Sequence, residues 1–195
     1  MKRLLLVLFI GLHFTSAQSQ NKIQFHSQNY IGLLEGSKGC LCLLDGSKGT
    51  PLEVTTINGI QYKTWFVGLG TGLDWYFMRT VPLFISLNKD FKQDKNTWFA
   101  SLDAGTNFEW AKGLPQGDFY YSKFTPGFFG RGGIGYKAYF RQKKEAFLFG
   151  IGYSFKRVKE RKEVGIYCIS PPCPTTFEFY DSKLNRLSIR LGLQF

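Results

Sequence analysis

The side chains with the most evident chemistry in this chain of 195 residues are four cysteines, Cys40, Cys42, Cys168 and Cys173. In an oxidising compartment such residues form disulfides. The segment Cys168-Ile-Ser-Pro-Pro-Cys173 is the expected bridge, closing a short loop in which the two prolines turn the chain. Cys40 and Cys42 would point the same way about 6.6 Å apart on an extended backbone, so a bridge between them would be strained. Bridging of the two cysteine-bearing loops is the alternative. A zinc site built from all four would need reduced thiols, and no metal is expected.

Other motifs lose their chemistry in context. Leu33-Leu34-Glu35-Gly36-Ser37-Lys38-Gly39 recurs as Leu43-Leu44-Asp45-Gly46-Ser47-Lys48-Gly49 with a period of ten residues. The G-S-K-G core lacks the spacing of a phosphate-binding loop, so it reads as a local duplication that lengthens a loop. Gly130, Gly132 and Gly135 match a dinucleotide fingerprint in form. That fingerprint needs a helix after it, and here an alternating pattern runs straight through the glycines. Hydrolytic chemistry would need a histidine base beside a serine nucleophile. His26 is the one histidine left once the N-terminal segment is removed, and it precedes the first expected strand without a companion motif. No enzyme activity and no cofactor are expected.

The elements around these residues say more. Aromatic residues make up 17% of the chain, 22 residues are glycine, and the net charge is +11. That is too aromatic for a disordered chain. A mean hydropathy of −0.15 excludes a bundle of membrane helices. Lys2 and Arg3, the apolar run Leu4–Phe14 and the small residues Thr15-Ser16-Ala17 form a signal peptide, residues 1–17, expected to be cut after Ala17. The apolar run is too short to span a bilayer, which takes about 20 residues. Cleavage removes two lysine or arginine charges and lowers the net charge from +11 to +9.

The remainder, 18–195, alternates. At the end of the chain Leu187, Ile189, Leu191, Leu193 and Phe195 interleave with Arg186, Ser188, Arg190, Gly192 and Gln194, a strand signal. In 64–78 one face carries Trp65, Val67, Leu69, Thr71, Leu73 and Trp75, and the other carries Phe66, Gly68, Gly70, Gly72 and Asp74. Large apolar residues outside and small or polar ones inside suit a narrow membrane barrel. Trp65 and Trp75 lie ten residues apart on the outer face, as do Trp98 and Phe108. On a tilted strand that spacing projects to about 25 Å, the height of an apolar band between aromatic girdles. Further strands are read at 81–88, 97–109, 127–140 and 145–157, with weaker ones at 27–35 and 51–61. The expected fold is all-β, an eight-stranded antiparallel transmembrane β-barrel forming one domain over 18–195. Breaks near 36–50, 110–126 and 161–176 are read as long loops.

Within the barrel, Asp74, Asp103 and Glu109 face inward with Arg131, Lys137, Arg186 and Arg190. Buried charges must be paired or hydrated, and eight strands leave an interior just wide enough to fill. The expected result is a polar plug, with a narrow ion path as the alternative. Lys156 is also read as inward. It is counted a second time in the basic group Lys156, Arg157, Lys159, Arg161 and Lys162, expected outside, where lipid phosphates are the candidate contact.

The signal peptide, the eight alternating strands, the Gly-Leu-Gly-Thr-Gly-Leu-Asp-Trp-Tyr segment (68–76) and the terminal Leu-Ser-Ile-Arg-Leu-Gly-Leu-Gln-Phe (187–195) resemble the small outer-membrane β-barrel proteins of Gram-negative bacteria. The likeness is to the OmpA-like transmembrane barrel domain type common in Bacteroidetes. It implies an outer-membrane location with both termini periplasmic, and Leu191, Leu193 and Phe195 as a signal for the barrel-assembly machinery. Some eight-stranded outer-membrane barrels modify lipid A, which keeps an enzyme as a lesser alternative. No peptidoglycan-binding domain is expected beyond Phe195. The expected partners are outer-membrane lipid and lipopolysaccharide, for a monomer that binds no nucleic acid.

Overall fold

A computed structural model of the chain describes residues 23–36, 52–75, 79–92, 96–109, 120–140, 145–165 and 175–195. The signal peptide, the second copy of the duplication, all four cysteines and the Cys168–Cys173 pairing lie outside the described residues. The described chain is all-β. Its strands are β1 (Gln24–Glu35), β2 (Leu52–Tyr62), β3 (Trp65–Trp75), β4 (Arg79–Asp90), β5 (Thr97–Glu109), β6 (Tyr120–Thr125), β7 (Gly127–Phe140), β8 (Glu145–Gly165) and β9 (Thr175–Gln194).

Eight of them close an antiparallel ring in the order β1-β2-β3-β4-β5-β7-β8-β9, with β9 pairing back onto β1. β6 pairs with the outer part of β8, beyond β7. The registers make β6 and β7 one strand with a bulge. Thr125 pairs with Lys159 and Phe129 with Lys156, so four residues advance on one strand against three on the other. Pro126, which has no N–H to offer the ladder, lies at the bulge. Pro82 interrupts a ladder of β4 without a bulge, since three residues advance on each strand. The β3–β4 ladder skips from Thr71–Leu83 to Asp74–Thr80 around it.

One row of paired residues can be followed around the ring: Gln194, Gln28, Ile57, Gly70, Phe84, Gly105, Phe129, Lys156, Leu184. It returns to β9 ten residues from where it began, a shear of ten. For eight strands that corresponds to a tilt of about 40°, within the usual range for barrels.

Where the ring is closed, buried and more exposed positions alternate along the strands. β3 buries Phe66, Gly68, Gly70 and Asp74 while exposing Trp65, Val67, Leu69 and Thr71. The inner core is a layer of Tyr30, Ile57, Phe66, Phe84, Phe99, Phe129 and Leu148. Glycines make room for these rings. A Cβ on Gly70 would collide with the Phe84 ring, and one on Gly135 with Phe99. Gly70→Val is therefore expected to destabilise the barrel by about 1–3 kcal/mol, the range for overpacking a filled interior. Urea midpoints of wild type and variant measure it.

The connections 63–64, 91–96 and 141–144 share one end of the barrel with the start of β1 and the end of β9. Lys63 adopts φ 55° in the tight β2–β3 turn. The other connections, the three-residue one at 76–78 among them, lie at the opposite end. Two expectations about that end are corrected. The stretch 110–126 is not all loop, because β6 occupies 120–125. The stretch 161–176 is not a loop throughout, because β8 runs on to Gly165 and β9 begins at Thr175. These extensions escape an alternation search because both faces of the β9 extension are exposed, residues 175–181 without exception.

Candidate functional site

The densest chemistry among the described residues is in the lumen. Of the inward charges expected from the sequence, Asp74, Asp103, Arg131, Lys137, Arg186 and Arg190 are all buried. Glu109 pairs through its backbone with Thr80 at the end of β5, and its side chain lies outside the described residues. Three further charges belong to the same interior: Glu53 of β2, Asp90 at the end of β4 and Lys156 of β8.

Arg131 is the hub. Its Nη1 donates to both carboxylate oxygens of Glu53 at 3.0 and 2.8 Å, and its Nε donates to Asp103 at 2.8 Å. Glu53 also accepts from Ser188 at 3.0 Å. Arg190 approaches the same Asp103 at 3.7 Å and stacks over the Tyr30 ring at 4.8 Å. β2 and β7 are four strands apart in a ring of eight, so the Arg131–Glu53 pair crosses the barrel from wall to wall.

A second crossing lies nearer the long connections. Lys156 of β8 meets Asp74 of β3 at 2.5 Å, again across four strands. Thr80 accepts from Lys156 at 2.7 Å and donates to Asp74 at 2.6 Å. At the short-turn end Lys137 pairs with Asp90 at 2.9 Å, and Gln61 donates to the same oxygen at 3.1 Å. Gln28, Gln194, Asn88 and Tyr30 form a neutral chain beside them, with bonds of 3.0–3.2 Å. The lumen is thus crossed at several levels by charged pairs and filled between them by aromatic rings.

Two readings of single residues change. Lys156 does not belong to the exterior basic group, because it is fully buried against Asp74. His26 does not precede the first strand; it lies within β1, buried, with Nδ1 3.2 Å from the backbone oxygen of Phe195. Ser27 and Phe195 exchange backbone hydrogen bonds of 3.0 and 2.9 Å at the same place. His26 therefore packs at the β1–β9 seam where the ring closes, with no serine nucleophile beside it among its hydrogen-bond partners Phe195, Gln24 and Gln194.

The outer surface is the reverse of the lumen. Trp65, Trp98 and Phe108 are exposed and Trp75 is half-buried. Trp98 stacks edge-on against Tyr136 at 5.3 Å. Lys89 lies over Trp65 at 4.4 Å and Lys63 over Tyr62 at 5.3 Å, all at the short-turn end. Leu191, Leu193 and Phe195 line the outside of β9 beside the seam.

On the outward face of β8 the apolar series Phe147, Phe149, Ile151, Tyr153, Phe155 gives way abruptly to Arg157, Lys159 and Arg161. Lys183 stands opposite Arg157 on β9, and Arg161 lies over the Phe177 ring at 3.9 Å. Arg157 donates from Nε to both oxygens of Asp181 at 2.9 and 3.0 Å, and this holds the Asp181 carboxyl below its ordinary pKa. The pair is half exposed to water and adds little stability.

No cluster of three or more His, Cys, Asp or Glu side chains suited to a metal is present among the described residues. No protein-family model, curated protein or solved structure matches the chain.

Proposed function

We propose that the chain is an integral outer-membrane β-barrel with a structural or surface-interaction role in the cell envelope, closed to solute flow by its charged plug. The observation that carries this is the inversion of polarity. Leucine, isoleucine, valine and aromatic side chains are exposed around the ring, Leu69, Ile85, Leu102, Ile134, Phe147 and Leu191 each by 58–65%, while Arg131, Lys137, Lys156, Arg186 and Arg190 are sealed inside. A soluble protein seldom exposes an apolar patch beyond a few hundred Å², whereas a membrane barrel needs an apolar band all round. The Trp65–Trp75 spacing sets that band at about 25 Å. Lysines over aromatic rings at one edge suit side chains that reach from apolar surface to water.

In this reading the signal peptide directs export and is removed. Both ends of the barrel chain are periplasmic. Leu191, Leu193 and Phe195 are read by the assembly machinery, as the likeness to OmpA-like barrels suggests. The β8–β9 hairpin rises outside, and its Arg157, Lys159, Arg161 and Lys183 meet lipopolysaccharide phosphates. Reconstitution of the mature chain into lipid vesicles tests the embedding. Protease should cut in the connections and leave the strands protected, and cleavage throughout the outward faces would contradict it. In planar bilayers the barrel should be silent at high salt.

The hairpin contact makes its own prediction. Each cation near an anionic lipid surface is worth about 1 kcal/mol. Lys159→Glu combined with Arg161→Glu should lower the lipopolysaccharide retained after mild detergent extraction roughly tenfold or more. Unchanged retention would remove the hairpin from the contact.

A further inference from the structure

Polar side chains on the outer face are not scattered. Ser27 and Asn29 of β1, Thr56 and Asn58 of β2 and Thr71 of β3 all point outward, with Asn29, Asn58 and Thr71 exposed. The registers join them into one patch, because Ser27 pairs with Asn58, Asn29 with Thr56, and Thr56 with Thr71. Apolar residues surround it, with Phe25 and Ile60 toward the short turns and Ile31 and Val54 toward the other end. Thr71 lies between Trp65 and Trp75 on its own strand, so the patch is inside the band that the tryptophans delimit. Elsewhere between the rims the described outward residues of β4, β7, β8 and β9 are apolar, aromatic or glycine, and β5 adds only Thr106.

Amides and hydroxyls facing hydrocarbon lose their water without replacement. Within the patch the one side-chain hydrogen bond among the described residues is a long one, Asn29 Nδ2 to Ser27 Oγ at 3.4 Å. A partner must therefore supply donors and acceptors at this same depth in the membrane. A second copy of the chain does so automatically. Turned about a two-fold axis along the membrane normal, it presents the same five residues at the same height. Each asparagine carries two donors and an acceptor oxygen, and each hydroxyl carries both functions, so the patch is complementary to itself. Asn29 and Thr56 also border a groove of about 680 Å³ that runs across the strands from Tyr136 of β7 and Phe149 of β8 through Leu191 to Ile31 and Val54. That hollow can receive apolar side chains flanking the patch on the other copy.

We infer that the barrel forms a two-fold homodimer in the membrane through the outer faces of β1, β2 and β3, in place of the monomer expected from the sequence. This inference rests on the membrane-embedded reading above. The test uses the mature chain in mild detergent and in its native membrane. Sedimentation should give a dimer for the wild type, and Asn29→Leu with Asn58→Leu should dissociate it. That variant should still fold, as judged by faster gel migration before boiling. A photoreactive benzoyl-phenylalanine at position 27 should yield an adduct of twice the chain mass in membranes. A folded, membrane-embedded wild type that sediments as a monomer and gives no self-adduct would overturn the dimer while leaving the embedding intact. An adduct to lipid or to a different protein would overturn it equally. Recovery of the wild type as a soluble protein would instead overturn the embedding itself.

Discussion

Arg131→Ala should destabilise the barrel by about 3–5 kcal/mol, the range for removing one partner of a buried ion pair. The size follows from what is left behind. Glu53 and Asp103 lose their shared guanidinium in a lumen where each is at most 2% exposed, and Arg190 reaches Asp103 at 3.7 Å. The loss reflects stranded carboxylates, so neutralising them should recover most of it. Arg131→Met combined with Glu53→Gln and Asp103→Asn should lie much nearer the wild type, because neutral, well-packed replacements of buried ion groups are often tolerated. Arg131→Lys should be intermediate, since a lysine cannot bond both carboxylates with a planar fork. Urea titration followed by the gel mobility of unboiled samples measures each variant. A single Ala variant within about 1 kcal/mol of wild type would show that the cross-lumen bridge does not hold the barrel.

The second large effect separates a membrane face from an ordinary surface. Ile85 points outward from the middle of β4, is 58% exposed, and pairs with Leu69 and Ala104. In water, Ile85→Arg should change stability by less than about 0.5 kcal/mol, as exposed substitutions do. In a bilayer the same change should cost about 2–4 kcal/mol, because the arginine must be held near the hydrocarbon midplane. Parallel folding measurements in vesicles give the difference directly. Lys89 already occupies the rim over Trp65, and Lys89→Arg there should be nearly silent.

The parts of this architecture that could be read from the residues are those where one physical demand acts alone. Wherever a strand runs between an apolar exterior and a small-residue interior, as in Trp65–Trp75 or Leu187–Phe195, alternation located the strand and assigned its faces correctly. β1 and β2 were weaker because their outward faces mix Ser27, Asn29, Thr56 and Asn58 with apolar residues. That mixture blurred the β1 boundary and left His26 outside the strand. It also hid Glu53, whose inward position follows once 53, 55 and 57 are placed on one face of β2. Asp90 escapes because β4 runs three residues past its last apolar position, Leu87. Lys156 admits two places on sequence alone, because the outward face of β8 turns from apolar to basic just beyond it. Which cation meets which carboxylate was not readable at all. Arg131–Glu53 and Lys156–Asp74 are pairs of opposite walls, and that geometry exists only after the ring closes with its shear of ten.

A polarity-inverted barrel embedded in the outer membrane must travel with that membrane and resist detergent until it is boiled. Density-gradient separation of cell envelopes, with each fraction run on a detergent gel before and after boiling, tests this most directly. The predicted result is that the mature chain sediments with outer membranes and migrates faster unboiled than boiled. Its appearance in the soluble periplasmic fraction, or with unchanged mobility on boiling, would contradict the account.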